Sequence, residues 1–101
     1  MQLQVARRGK KISVTIVGSI GEPDISDIVN VLQSIEHDSV QKVVLNLLDV
    51  PTVSSAGIGI LVTFQHRLQK NGRELQIRGC HDNLIGQFKS IHLDKVIRIA
   101  P

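Results

Sequence analysis

Lys42-Val43-Val44-Leu45-Asn46-Leu47-Leu48 is almost unbroken in apolar residues, and residues 49–59 behind it hold Pro51, Gly57, Gly59 and the serine pair Ser54-Ser55. A short apolar run of this kind suits a central strand covered on both faces. Ile60, Leu61, Phe64 and Leu68 then recur at helical spacing, and Asn71-Gly72 is a helix stop. A buried strand that turns at small residues into a helix is the first half of a strand-helix-strand unit.

The chain on either side extends that pattern. Residues 74–78 alternate as a strand, His81-Asp82-Asn83 offers a cap for a third helix carrying Leu84, Ile85 and Phe88, and residues 95–99 read as a last strand. Upstream, residues 3–6 and 12–17 read as two strands joined by the turn Arg8-Gly9-Lys10. Gly21-Glu22-Pro23-Asp24 breaks the chain, and Asp24 can cap a helix whose apolar face is Ile25, Ile28, Val29, Leu32 and Ile35. His37-Asp38-Ser39 ends that helix. The predicted fold is α/β in the order β-β-α-β-α-β-α-β. It has a mixed sheet of four to five strands packed with helices, an antiparallel hairpin first and parallel crossovers after it.

One domain, residues 1–101, fits the length, since 101 residues hold one core and not two. The balance of 42% hydrophobic to 21% charged residues argues against disorder. Phe64 and Phe88 are the only aromatic residues, so Ile, Val and Leu must build the core and a base-stacking platform is excluded. Cys80 stands alone and can form neither an intrachain disulfide nor a thiolate zinc site. With no signal peptide and no apolar run near the ~18 residues of a membrane span, a reducing, cytoplasmic setting is expected. The net charge is +3. Its basic residues group as Arg7, Arg8, Lys10 and Lys11 and as Arg67, Lys70, Arg73 and Arg78. Without interleaved aromatics these read as a solvated turn and a solvated helix end, and no direct nucleic-acid contact is expected; a patch for nucleic acid or an acidic partner is the rival reading.

Catalytic chemistry finds little support. Gly57-Ile58-Gly59 lacks the third glycine of a dinucleotide fingerprint, where Val62 stands, and the lysine of a phosphate loop is missing. His37, His66, His81 and His92 are not spaced as metal ligands. Val53-Ser54-Ser55-Ala56-Gly57 fails the nucleophile-elbow pattern at its first position. Neither an enzyme nor a cofactor is therefore expected. The glycines let a helix start lie close to its own sheet or to a partner. The Ile58 and Val62 stripe can be interface or can pack against the third helix. Ser54 and Ser55 can simply cap the helix. A helix start also favours a phosphate, through free N–H groups and the helix dipole, so a serine here can be modified without breaking the fold.

With these residues in view, the stretch from Val43 to Leu61, ending in Ser54-Ser55-Ala56-Gly57-Ile58-Gly59-Ile60-Leu61, resembles the signature of STAS domains. More narrowly it is similar to the bacterial anti-sigma factor antagonists. Gly21-Glu22-Pro23-Asp24, Asn71-Gly72-Arg73-Glu74-Leu75 and Ile91-His92-Leu93-Asp94-Lys95-Val96-Ile97 resemble that family's flanking motifs in the same order. The resemblance implies partner switching. The unmodified antagonist binds an anti-sigma factor that is also a serine kinase of the histidine-kinase-like ATPase type. Phosphorylation of a serine releases it, and a serine phosphatase resets it. Carried over, Ser55 is the phosphoacceptor, Asp24 lies in a partner-facing loop, and Ser54, Gly57, Ile58, Gly59 and Val62 border the docking surface. Three positions depart from the family pattern: Ser54 stands for the acid before the acceptor, Asn46 for the acid ending the strand, and Ala56 for a following serine. Ser54 thereby becomes a rival acceptor. A non-phosphorylated scaffold or assembly subunit of a signalling or transport complex is the alternative function.

Overall fold

Gly9 adopts φ +58°, and with Lys10 it forms the two-residue turn between β1 (Gln2–Arg8) and β2 (Lys11–Val17). Glycine at the first turn position matches the twist of an antiparallel hairpin. The computed structural model describes residues 1–36 and 40–100. From β2 onward every connection is a helical crossover between parallel neighbours. The elements are α1 (Ile25–Glu36), β3 (Lys42–Asp49), α2 (Ser55–Lys70), β4 (Glu74–Arg78), α3 (Asp82–Ser90) and β5 (Arg98–Ile99). The five strands lie in the order β1-β2-β3-β4-β5. The expected order of elements and mixed sheet are both present.

The same topology corrects one expectation. Each crossover advances the sheet by one strand in the same direction, and crossovers of one hand then place every helix on one face. Burial follows this rule. Ile12, Val14 and Ile16 of β2, Val43, Leu45 and Leu47 of β3, and Leu75 and Ile77 of β4 form one core with Leu32, Phe64, Leu68, Leu84 and Phe88 of the helices. Of the alternate residues, Val44 and Gln76 are buried at the middle of the sheet, but Ser13, Thr15 and Asn46 are only half-buried and Leu48 is 62% exposed. The β3 run is thus helix-covered on one side, not two. An apolar run carries no period from which its faces can be told apart; the direction of the crossovers decides.

A second expectation is shortened. Residues 95–99 do not form a full strand. A 3-10 turn over Leu93–Lys95 follows His92, which sits at φ +60°, and only Arg98–Ile99 pair with β4. The amides of Val96 and Ile97 both donate to the Leu93 carbonyl, at 3.0 and 2.9 Å. They are spent locally, while Ile97 is buried as a core plug. The expected end of the first helix at His37-Asp38-Ser39 lies outside the described residues.

Helices that return antiparallel to the strands give the molecule two ends. The loops after β2, β3 and β4 share one end; the hairpin turn and the helix C-termini share the other. Gly79, at φ +76°, turns the chain after β4, and a Cβ there would meet Asn46 Oδ1 at 2.7 Å. Beside it Cys80 is buried, and that burial pushes its thiol up to about 11, so it stays protonated and inert at neutral pH. Among the described residues no helix is long and apolar enough to cross a membrane.

Candidate functional site

The chain leaving β3 is laced to the chain leaving β2. Gly18 N–H donates to the Asp49 carbonyl (2.9 Å), Ile20 N–H to Thr52 (3.0 Å) and Ser54 N–H to Ile20 (2.8 Å). Ile20 and Val53 form an isolated parallel bridge, and both are buried. The hydroxyl of Thr52 donates to that of Ser19 at 3.1 Å. The α3 start braces the same loop from the other side. The Nδ1 of His81 accepts from Leu84 N–H (3.3 Å), which leaves its Nε2–H to donate to the Val50 carbonyl (3.0 Å). Gln87 donates to the Val53 carbonyl at 3.2 Å.

Helix α2 begins at the end of this fixed segment, and its two serines differ. Ser54 is the N-cap, at φ −68° and ψ 161°, and its Oγ accepts the Gly57 N–H at 3.1 Å. Ser55 is the first helical residue; it is exposed and its side chain makes no hydrogen bond among the described residues. The cap is occupied with the fold and the neighbouring hydroxyl is not. Ser54→Ala is therefore expected to cost about 1 kcal/mol of stability, within the range of about 0.5–2 kcal/mol for lost caps, read as a lower urea midpoint at unchanged slope.

The other residues expected at a docking surface separate into two groups. Gly57 is turned toward its own fold. It is buried, and a Cβ there would lie 3.0 Å from both Ile20 Cγ2 and Val53 Cγ1, so its absent side chain serves the close approach of α2 to its own loops. Gly59 is exposed, and a Cβ there would meet no atom within 4 Å, so it offers an open patch one turn beyond Ser55. Ile58 and Val62 are half-buried and pack against the core. Asp24 closes its own loop: its Oδ2 accepts the Gly21 N–H at 2.9 Å, while its N–H donates to the Gly21 carbonyl at 3.0 Å. It stands at the start of α1, in the loop laced to the one that carries Ser54.

Sequence reasoning does not single out a groove of about 360 Å³ between α1 and α2. Ala56, Gly59 and Ile60 line it at the Ser55 end, and Glu36 and Arg67, 3.4 Å apart, line it at the other. It needs both helices, and only the fold brings them together. His81 reads as a cap from sequence; its second bond, to Val50, is a tertiary contact without a sequence signal.

Charge is divided between the two ends. Glu22, Asp24, Asp27, Asp49 and Asp82 lie at the end that carries Ser55, where Arg78 closes β4. The basic residues Arg7, Arg8, Lys10 and Lys11 share the far end with Arg67, Lys70 and Arg73, whereas Arg78 of the second cluster does not. There Gln41 and Lys42 donate to the Lys10 carbonyl, and Arg73 donates to Glu36 O at 2.9 Å. Asn46 does not end its strand. β3 continues to an exposed Asp49, and the Oδ1 of Asn46 accepts the Leu48 N–H at 3.0 Å. Helices α1 and α3 carry Asp27 and Asp82 in their first turns, whereas α2 has no acidic residue there. No acidic side chain there offsets the positive end of its dipole, a setting that stabilises an added anion.

Known proteins share this fold. An anti-sigma factor antagonist from Mycobacterium paratuberculosis superposes with a TM-score of 0.88 at 19% identity, over 99% of this chain and 85% of that one. The unphosphorylated form of the Bacillus anti-sigma factor antagonist SpoIIAA gives 0.83 at 13% identity, over 99% and 89%. A sulfate transporter family protein from Wolinella succinogenes gives 0.76 at 22% identity, over 87% and 74%. At these identities the likeness is one of fold. The STAS domain model matches residues 3–101. With the order of elements, the serine-capped second helix and this match all on one chain, the protein belongs to the STAS domain family.

Proposed function

We propose that this STAS domain is a partner-switching regulator of the anti-sigma factor antagonist type. In its unmodified state it binds an anti-sigma factor that is also a serine kinase of the histidine-kinase-like ATPase type. Phosphoryl transfer to Ser55 releases the complex, and a serine phosphatase restores the hydroxyl. The protein acts as substrate and ligand, without a reaction of its own. The observation that carries the reading is the division of labour at the α2 start. Ser54 holds the cap, so Ser55 can be esterified without taking a hydrogen bond from the fold. The phosphate would lie at the start of a 16-residue helix whose first turn holds no acidic residue. The laced loops support a switch of charge rather than of shape. Asp24 shares the acceptor's end of the molecule, Gly59 lies exposed one turn beyond it on α2, and Ile58 and Val62 pack against the core.

The test is incubation with a cognate kinase and ATP, followed by mass spectrometry of the peptides. One phosphate is expected, on Ser55. Ser55→Ala is expected to abolish uptake and Ser54→Ala to keep it; uptake that persists in Ser55→Ala assigns the acceptor elsewhere.

The likeness to a sulfate transporter family protein favours a second reading, that of a constitutive assembly subunit. The absence of an acid at Ser54 is consistent with it. Under that reading a partner binds Ser55→Asp as well as wild type.

A further inference from the structure

The two edges of the sheet are unequal. β5 contributes two paired residues, whereas β1 runs for seven, with no bulge in its pairing to β2 and no proline. All of β1 except Leu3 is exposed, and Val5 is 52% exposed at its midpoint. A long regular edge strand is a template for another strand, and proteins that use none shorten, bulge or break such edges. This chain has blunted one edge and left the other intact.

We propose that β1 pairs antiparallel with β1 of a second copy, about a two-fold axis at Val5. The hairpin determines which backbone groups are available. A two-residue turn closes on a hydrogen-bonded pair, here Arg8 with Lys11, and antiparallel pairs then alternate. Leu3 with Ile16 and Val5 with Val14 fall in the non-bonded class. The N–H and C=O groups of Leu3 and Val5 thus point away from β2. Centring the pair on Val5 makes Val5 opposite Val5 a hydrogen-bonded pair and covers an exposed valine with its own copy. Gln4 then faces Ala6, Leu3 faces Arg7 and Gln2 faces Arg8, so no arginine faces another. Centring on Arg7 would set Arg7 against Arg7, which is destabilising. The occupant is accordingly a second copy, since the strand is complementary to itself and the register centred on Val5 is the one that pairs all seven of its residues. Such an interface is isologous and closes at two chains. The axis stands perpendicular to the joined sheet, so the two Ser55 ends point in opposite directions and both stay open. This inference does not depend on the phosphorylation reading.

Sedimentation equilibrium over a concentration series tests it. Wild type is expected to approach twice 11.1 kDa. Val5→Pro removes an outward donor that β2 does not use, a place where an edge strand tolerates proline, so it is expected to remain at one chain's mass with an unchanged circular dichroism spectrum. Val5→Cys gives a second readout. Hydrogen-bonded antiparallel pairs hold their Cα atoms about 5.5 Å apart, within disulfide range. Mild oxidation is expected to yield a covalent dimer, whereas Arg7→Cys, two residues out of register, stays uncrosslinked. Native Cys80 is buried and does not interfere. A monomer across the whole series, a Val5→Pro protein that still dimerises, or crosslinking at Arg7→Cys and not at Val5→Cys would each overturn the proposal.

Discussion

Ser55→Asp is expected to weaken binding of the anti-sigma factor kinase by about a hundred- to a thousandfold, while Ser55→Ala binds nearly as wild type. A loss of that size corresponds to about 3–4 kcal/mol. The serine is exposed at an end already bearing Glu22, Asp24, Asp27, Asp49 and Asp82. A further carboxylate there must be stripped of water when a partner docks, and an uncompensated charge in an interface costs at least that much. Calorimetric titration with the kinase measures it, and a salt series separates its two sources. Repulsion across solvent is screened within about 10 Å at 0.1 M salt, whereas desolvation at the contact is not. The affinity loss should therefore persist at high salt. Ser54→Asp is the control: aspartate is a good N-cap, so this variant should fold normally and retain the kinase. Equal binding by Ser55→Asp and wild type would remove Ser55 from the switch.

The largest effect on stability is expected at Phe88. It is fully buried on the inner face of α3, and with Phe64 it supplies all the aromatic volume of the core. Phe88→Ala leaves a cavity that leucines and valines cannot refill, at a cost of about 3–5 kcal/mol. Set against a typical total of about 5–15 kcal/mol, this is a large share. For a domain of this size it lowers the melting temperature by about 12 °C or more. Urea unfolding followed by circular dichroism checks it; a loss below about 1 kcal/mol would mean that the core closes around the gap. The substitution lies outside the proposed docking end, so the folded fraction should still bind.

Most of the fold is legible in the sequence because its elements are locally consistent. Residues 12–16 alternate strictly, Ile28, Leu32 and Ile35 share a helical face, and Asn71-Gly72 carries its own stop, with Gly72 at φ +69°. What fails to show are properties of the assembly. The covered side of β3 depends on where three crossovers pass, and the shortness of β5 depends on two amides captured by the Leu93 carbonyl. At the candidate site, the serine pair is visible, but its order of use is not. Ser54 and Ser55 are chemically identical, and only the backbone entry into α2 assigns the cap to the first. Gly57 and Gly59 likewise read as equals, yet a two-residue step on a helix turns one inward against Ile20 and Val53 and the other out to solvent.

The backbone hydrogen bonds that stitch Gly18, Ile20 and Ser54 to neighbouring loops leave no slack on the approach to the acceptor. On the proposed reading, this makes the molecule a passive register. Writing and erasing are timed wholly by the enzymes that visit it, with no internal relaxation to delay either. A cell could then lengthen or shorten the signal by adjusting the amounts of kinase and phosphatase, leaving the carrier itself untouched.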